Sequence, residues 1–292
     1  MPDLLVKGLA KQEPVVVTVL VSTATVDHAR SIHDTYPTAT AALGRTMSGA
    51  ILLSTLLKEG QRVAIQVVGD GPLKEVFAEA DWLSRVRGYV RKPHVHVDLS
   101  EGKLDVGKAV GKGFLHVTKD LGLKEPYHGS VPLQTGEIAE DLAYYLRTSE
   151  QIPAAVSLGV FVDTDNAVKA SGGFMLHFLP DAEDPLIAYL ENRLKGLRPV
   201  SSMVREGMGP VEIMKEVVGI PFDILEERKV FYHCPCTKSR VKDALVALGE
   251  RDMRDLAEKG EPLTIRCHFC KTEYTVTKEE LESLLKGIKT DS

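Results

Sequence analysis

The sequence predicts an α+β fold in which a strand-rich N-terminal domain with packed helices is followed by a helical linker and a small C-terminal domain. Three observations support this prediction. Strand-like runs occur in pairs over the first 180 residues, short helical segments follow Pro180, and all four cysteines of the 292-residue chain come after residue 229. Paired strands with occasional helices favour α+β over a doubly wound parallel sheet.

The first predicted strand is the apolar run Val15–Val21, which is rich in β-branched valine. A secretory leader would also contain an apolar run, but its flank should be basic, and here Asp3 and Glu13 precede the run. The run is also too short to span a bilayer. We therefore expect a buried strand in a cytoplasmic protein that has no membrane partner.

Turn residues mark two β-hairpins and further strands in this domain. Gly69-Asp70-Gly71-Pro72 and Asp163-Thr164-Asp165-Asn166 each lie between two strand-like runs, which is typical of hairpin turns. The strands predicted after the first are Val63–Val68, Lys74–Ala80, Val86–Val90, Phe114–Thr118, His128–Gln134, Ser157–Val162 and Val168–Leu179.

Two helices are predicted among these strands. Ala39–Leu57 is apolar along most of its length and indicates a core helix, in which Arg45 is expected to be a paired core arginine and not a catalytic residue. Glu137–Arg147 places its apolar side chains on one face, as expected for an amphipathic helix.

Residues 181–228 are predicted to form a metastable helical linker. Its helical segments, Leu186–Lys195 and a second from Pro210 to Gly219, are short and bounded by glycine or proline. Short helices are marginal without packing partners. The predicted domains are therefore residues 1–180, a linker at 181–228 and a C-terminal domain at 229–292.

The C-terminal domain has its own pattern of helices and strands. Thr237 or Ser239 is expected to cap a helix that ends at Gly249, and a second helix should end at Gly260. Thr264–Ile265 and Tyr274–Val276 are predicted to be short strands around the second cysteine pair. Thr277-Lys278-Glu279-Glu280 has the capping-box pattern that begins a final helix.

Composition argues against several classes of function. The net charge is −5 and 26% of residues are charged, so the chain has no overall basic field that would indicate a nucleic-acid partner. Neither a Ser-His-Asp arrangement nor a pair of catalytic carboxylates stands out. We therefore predict no catalytic residue and expect that the protein is not an enzyme.

The four cysteines have the spacing of a tetrahedral zinc site. Cys234 and Cys236 form one close pair, Cys267 and Cys270 form another, and the chain has no other cysteine. Two close pairs separated by a few tens of residues suit Zn²⁺, whereas iron–sulfur clusters commonly use other spacings. The neighbouring His233 and His268 could replace a ligand, but four sulfurs already complete the set.

Three features suggest that this site is more than structural. A disulfide in the Cys234-Pro235-Cys236 segment would close a small strained ring, and strained disulfides are the labile, regulatory kind. Basic residues around the site are expected to favour thiolates. These are Lys229, Lys238, Arg240, Lys242, Arg266 and Lys271. A small module with little core also depends on its metal for folding.

The cysteine pattern, read with its flanking residues, resembles the heat-shock protein 33 family of redox-regulated holdase chaperones. The run His233-Cys-Pro-Cys236 with Cys267-His-Phe-Cys270 is the most specific part of the resemblance. Further matching segments cover essentially the whole chain: Pro37-Thr-Ala-Thr-Ala-Ala-Leu-Gly-Arg45, Gly69-Asp-Gly-Pro72, Gly102-Lys-Leu-Asp105, Lys119-Asp-Leu-Gly-Leu123 and Ser171-Gly-Gly-Phe174.

The resemblance implies a switch that responds to oxidative stress. It implies a reduced, inactive form with Zn²⁺ on the four cysteines, and oxidation to the disulfides Cys234–Cys236 and Cys267–Cys270 with release of zinc. The C-terminal domain and linker would then unfold, and the activated homodimer would hold unfolding client proteins without ATP.

Two other functions remain open at this point. A zinc-ribbon-like nucleic-acid-binding protein would use the basic residues near the cysteines and would show steep salt dependence of binding. A disulfide oxidoreductase would use Cys267 and Cys270, but this pair lacks the strand-then-helix context of thioredoxin-like chemistry.

Overall fold

The computed structural model describes residues 2–100, 102–258 and 261–288. It has the mixed α+β architecture that the sequence predicts. The chain divides into two compact units, residues 1–233 and residues 234–292. None of the described helices combines the length and the apolarity that a membrane crossing requires.

Among the described residues, the strands are β1 (Leu4–Ala10), β2 (Val15–Val21), β3 (Arg62–Gly69), β4 (Glu75–Asp81), β5 (Arg85–Val90), β6 (Gly113–Asp120), β7 (Tyr127–Pro132), β8 (Ala154–Val162), β9 (Val168–Phe178), β10 (Phe222–Lys229), β11 (Phe231–Tyr232), β12 (Leu263–Arg266) and β13 (Glu273–Val276). The helices are α1 (Thr23–His33), α2 (Pro37–Ser54), α3 (Val106–Val110), α4 (Ala139–Thr148), α5 (Asp184–Lys195), α6 (Val200–Arg205), α7 (Pro210–Val218), α8 (Lys238–Val246), α9 (Glu250–Glu258) and α10 (Lys278–Ile288).

The first unit contains two sheets. One has the order β10-β1-β2-β9-β8 and is antiparallel throughout. The other has the order β11-β5-β4-β3-β6-β7, in which only the β11–β5 pair is parallel. The two predicted turns connect β3 to β4 and β8 to β9, so both predicted hairpins are confirmed.

Helix α2 forms the centre of the first unit. It contacts strands of both sheets, and nearly all of its side chains are buried. This position explains why the helix is apolar around its circumference instead of on one face. Arg45 is the charged exception, and it forms an ion pair with Glu137, as predicted for a core arginine.

The five-stranded sheet is buried on both of its faces. Leu20 of β2 packs in the cluster around α2, while Val17 and Val19 pack in a second cluster with α5, α6 and α7. A strand that is covered on both sides has a continuous apolar sequence, and this is why Val15–Val21 can be recognised as a buried strand from the sequence. The preceding strand β1 was not predicted.

Helices α5, α6 and α7 cover the second face of that sheet. Their side chains Leu190, Met203 and Ile213 are fully buried against it. Gly159 in β8 permits the close approach of α6, because a Cβ at this position would lie 2.9 Å from the backbone nitrogen of Ser201. The predicted helices of residues 181–228 therefore exist and have an extensive packing surface.

Strand β10 lies within the stretch that the sequence predicts as helical linker. It pairs antiparallel with β1 from Phe222 to Lys229. Acidic residues and lysine are uncommon in strands, so propensity does not indicate one here. Pairing with β1 outweighs this weak local preference.

The second unit has a small apolar core between its helices and the β12–β13 hairpin. The described residues buried there are Leu245, Met253, Ala257, Val276 and Leu281. The Thr237 side chain caps α8, as predicted. The capping box of α10 is also confirmed, since Thr277 and Glu280 exchange backbone-to-side-chain hydrogen bonds. The predicted helix end at Gly260 lies outside the described residues.

Candidate metal centre

Two short segments of the second unit bring the cysteines together. Cys234 and Cys236 precede the capped start of α8, and Cys267 and Cys270 lie in the turn between β12 and β13. Two backbone bonds close this turn, from the Cys267 nitrogen to the Thr272 oxygen (2.8 Å) and from the Lys271 nitrogen to the Cys267 oxygen (3.0 Å). Lys271 adopts a left-handed conformation with φ of 57°, which lets the chain reverse tightly.

The four sulfur atoms form one compact group. All four Sγ atoms lie within 4.8 Å of one another. The Sγ–Sγ distance is 3.7 Å between Cys234 and Cys267 and 3.2 Å between Cys236 and Cys270. A tetrahedral zinc site with Zn–S bonds of 2.3 Å has sulfurs about 3.8 Å apart. The donor set and its size therefore fit Zn²⁺, and no two of these cysteines form a disulfide in this structure.

Neither neighbouring histidine belongs to this group. A metal-ligand cluster among the described residues contains the four cysteine sulfurs and neither His233 nor His268. The backbone of His233 instead continues the β11–β5 pairing, with its nitrogen 2.8 Å from the Val86 oxygen.

Among the described residues, two hydroxyl groups contact the sulfurs, and sequence reasoning missed both. The Tyr274 hydroxyl lies 3.1 Å from the Cys236 Sγ and 3.1 Å from the Cys236 carbonyl oxygen. The Thr272 hydroxyl lies 3.2 Å from the Cys270 Sγ. The position of Thr272, two residues after a cysteine, is a weak sequence signal. Tyr274 is 38 residues from Cys236, so only the folded hairpin reveals its contact.

The sulfurs differ in their affinity for protons. Burial raises the pKa of the Cys236 thiol to about 12, although the hydrogen bond with Tyr274 partly opposes this shift. At Cys270 burial acts in the same direction, but hydrogen bonds from the Thr272 hydroxyl and backbone stabilise the thiolate and lower the pKa to about 6. Cys270 therefore ionises before Cys236.

The basic residues around the site do not all act on the sulfurs. Lys238 and Lys242 contact Glu280, with N–O distances of 2.8 and 2.9 Å, and together they lower the pKa of that carboxyl to about 2. Their charge is largely neutralised there. Lys271 is different, because the charge of Cys267 acts on it and partly offsets the lowering of its pKa by burial and by Arg266.

Comparisons with known proteins cover almost the whole chain. A family model described as "Hsp33 protein" matches residues 3–277. The chain is 52% identical over 286 residues to the "33 kDa chaperonin" of Thermodesulfovibrio yellowstonii, covering 98% of this chain and 100% of the relative. It is 42% identical over 284 residues to that of Bacillus subtilis, covering 97% and 98%. The crystal structure of the 33 kDa chaperonin from Thermotoga maritima matches with a TM-score of 0.91 at 36% identity, covering 100% of both chains.

Proposed function

Because the chain belongs to the heat-shock protein 33 family, we propose that it is a redox-regulated, ATP-independent holdase whose four cysteines bind Zn²⁺ in the inactive state. The grouping of the Cys234, Cys236, Cys267 and Cys270 sulfurs within 4.8 Å carries this proposal. Under it, residues 1–180 bind clients, residues 181–228 are the linker, and residues 229–292 are the redox switch.

Among the described residues of the second unit, the two halves are joined by the cysteines, a small apolar core and the ion pairs of Lys238 and Lys242 with Glu280. Its buried apolar residues are few, and its hairpin and helices are short. Bound zinc supplies a cross-link between the two cysteine pairs and keeps their sulfurs as thiolates. Structural zinc in small peptides contributes an apparent 10–16 kcal/mol of binding free energy, about as much as the whole stability of a typical domain. Loss of the metal should therefore unfold this unit.

Oxidation by a peroxide removes the thiolates that hold the metal. One thiolate attacks the peroxide oxygen, which breaks the O–O bond and forms a sulfenic acid and hydroxide. The neighbouring thiolate then attacks the sulfenic sulfur and expels a second hydroxide, which leaves a disulfide. Each pair of thiolates gives two electrons to one peroxide as its disulfide forms, so formation of Cys234–Cys236 and Cys267–Cys270 consumes two peroxides. Disulfide sulfurs are neutral and poor zinc ligands.

The near-neighbour pairing rests on the family and on chain entropy. In the folded unit the Sγ–Sγ distance is 3.2 Å between Cys236 and Cys270 and 3.7 Å between Cys234 and Cys267, so both of these contacts join one pair to the other. Once the unit unfolds, the shorter loops within each pair are easier to close. This favours Cys234–Cys236 and Cys267–Cys270 in the oxidised protein.

Unfolding of the second unit leads to exposure of apolar surface in the first. Strands β10 and β11 continue directly into Cys234, so α7 and β10 immediately precede the switch in the chain. Helices α5–α7 cover Val17, Val19 and Phe174 of the five-stranded sheet. Loosening of these helices would expose a broad apolar face that suits unfolded clients. The activated protein would act in the cytoplasm as a homodimer and would catalyse no reaction.

A client-aggregation assay tests this function. The reduced, zinc-loaded protein and a peroxide-treated sample are mixed with a thermally unfolding client protein, without ATP, and light scattering is followed. We expect suppression of scattering only by the oxidised sample, with loss of suppression after reduction in the presence of zinc. An oxidised, zinc-free sample that leaves client aggregation unchanged would refute the chaperone proposal.

A further inference from the structure

Resting on the proposed zinc switch, we propose that Tyr274 is a positioning residue of the four-sulfur centre, whose hydroxyl holds Cys236 against the β12–β13 hairpin and slows its oxidation. The hydroxyl oxygen is 3.1 Å from the Cys236 Sγ and 3.1 Å from the carbonyl oxygen of the same residue. Both contacts converge on one cysteine of the first pair from the strand that follows the second pair.

The hairpin fixes the Tyr274 ring in place. Tyr274 and Val276 lie on the same face of β13, opposite Ile265 and Leu263 of β12. Val276 is fully buried in the core of the unit, whereas the intervening Thr275 is exposed. This alternation anchors the strand and directs the tyrosine toward the metal centre. The rigid ring then spans the distance that a shorter hydroxyl side chain would not reach.

Tyr274 differs in role from the other hydroxyl at the site. Thr272 contacts Cys270 from only two residues away, so it orients a sulfur within its own turn. Tyr274 connects segments 38 residues apart and therefore holds the two cysteine pairs together in space. Groups that hydrogen-bond metal ligands fix ligand orientation, and their loss typically reduces metal affinity 10–100-fold.

The same hydrogen bond opposes oxidation of the first pair. The Tyr274 hydroxyl donates to the Cys236 carbonyl oxygen, and when Cys236 is a thiolate the single hydroxyl proton can turn from that oxygen to the sulfur, where the hydrogen bond withdraws electron density. A less electron-rich sulfur attacks a peroxide more slowly. Formation of the Cys234–Cys236 disulfide also requires these two sulfurs to approach to about 2.05 Å, and any movement of the Cys236 sulfur toward Cys234 breaks its contact with Tyr274.

The test compares the full-length reduced protein with its Tyr274→Phe variant, which lacks only the hydroxyl. Cobalt(II) replaces zinc as a spectroscopic probe, because its thiolate charge-transfer band reports hydrogen bonding to the sulfurs. We expect this band to move to longer wavelength in the variant. Competition with a chromophoric chelator should show about tenfold weaker zinc binding, and peroxide should release zinc severalfold faster.

Two variants separate this role from simple destabilisation. Thr275→Val alters an exposed residue of the same strand and should leave the band, the zinc affinity and the release rate unchanged. Val276→Ala removes buried core atoms and should lower stability without moving the band. If Tyr274→Phe abolishes cobalt binding while Val276→Ala retains it, the inference is also supported.

The failure of this inference can be distinguished from the failure of the zinc switch. A parent protein with a tetrahedral cobalt–thiolate spectrum, together with an unchanged band and zinc affinity in Tyr274→Phe, overturns only the role of Tyr274. A reduced parent protein that shows no cobalt–thiolate spectrum overturns both the four-sulfur metal centre and the inference built on it.

Discussion

Among single residues, His177 makes the clearest pH-dependent contribution. Its side chain on β9 is 8% exposed, and its Nδ1 is buried without a hydrogen-bond partner among the described residues. Burial, followed by the charge of Lys7, lowers its pKa to about 4, from an ordinary value of 6.5. The unfolded chain therefore binds this proton at a higher pH than the folded chain does.

The sign of the resulting pH dependence follows directly. The free energy of unfolding should be unaffected by His177 above pH 6.5, decrease as the pH falls from 6.5 toward 4, and change no further below that. The contribution is at most about 3 kcal/mol. We expect the His177→Leu variant to lose this decrease in the free energy of unfolding between pH 6.5 and pH 4. The His96→Leu variant, which changes an exposed position, should show the same decrease as the parent.

Urea unfolding at pH 7 and at pH 4.5, followed by the fluorescence of the single tryptophan, Trp82, measures this effect in the first unit. If the free energy of unfolding of His177→Leu falls between pH 7 and pH 4.5 as much as that of the parent, the histidine is not buried in its neutral form.

The limits of sequence reasoning at the residue scale are visible around the sulfurs. The grouping of the four cysteines was predictable, because the spacing of metal ligands is a local property of the chain. The contact of Tyr274 was not, since it depends on the register of β13. Lys238 and Lys242 were expected to favour thiolates, but Glu280 binds both of them. The closeness of a charged residue to the cysteines in the sequence does not determine which residue it contacts in the fold.

At the scale of elements, the proposed client-binding surface depends on how α5–α7 cover the five-stranded sheet. Ile213 of α7 is fully buried in this interface. Its replacement by alanine should lower the free energy of unfolding by about 2–5 kcal/mol, through lost burial and a residual cavity. If these helices cover the client-binding surface, the reduced, zinc-loaded Ile213→Ala protein should suppress client aggregation more than the parent does.

The matched control is Glu216→Ala, which changes an exposed residue of the same helix and should leave both stability and client protection near parental values. Light scattering of a heat-unfolded client measures protection, and denaturant unfolding measures stability. A destabilised Ile213→Ala protein that gives no more protection than Glu216→Ala would indicate that the covered face does not bind clients.

Local patterns predicted most elements, and tertiary pairing produced the exceptions. Helix α2 follows from its long apolar run, α4 from apolar side chains on one face, α5 and α7 from glycine or proline at their ends, and both hairpins from their turn residues. Strand β10 could not be predicted, because its charged residues disfavour a strand until β1 is available as a partner. Short helix α6 depends on packing over Gly159.

At the scale of the whole molecule, the two units should differ in their dependence on metal. The core of the first unit is extensive, whereas the second unit has a small one. We expect a strong zinc chelator, added to reduced protein, to abolish protection from hydrogen exchange throughout residues 234–288. The core strands of residues 1–180 should remain protected. Exchange resolved by mass spectrometry measures both regions in one experiment.

Addition of excess zinc under reducing conditions is the control and should restore protection in residues 234–288. Unchanged exchange in that segment after complete removal of zinc would show that the second unit folds without its metal. Loss of protection throughout residues 1–180 would show that the metal stabilises the entire chain, which the separation into two units does not predict.

The most direct test of the central claim is a stepwise peroxide titration of the reduced, zinc-loaded protein. At each step the same sample is assayed for released zinc, for disulfides by peptide mass spectrometry and for protection of a client. We expect one equivalent of zinc to leave as Cys234–Cys236 and Cys267–Cys270 form, and client protection to rise over the same range of peroxide. Full client protection while zinc and all four thiols remain intact would contradict the account.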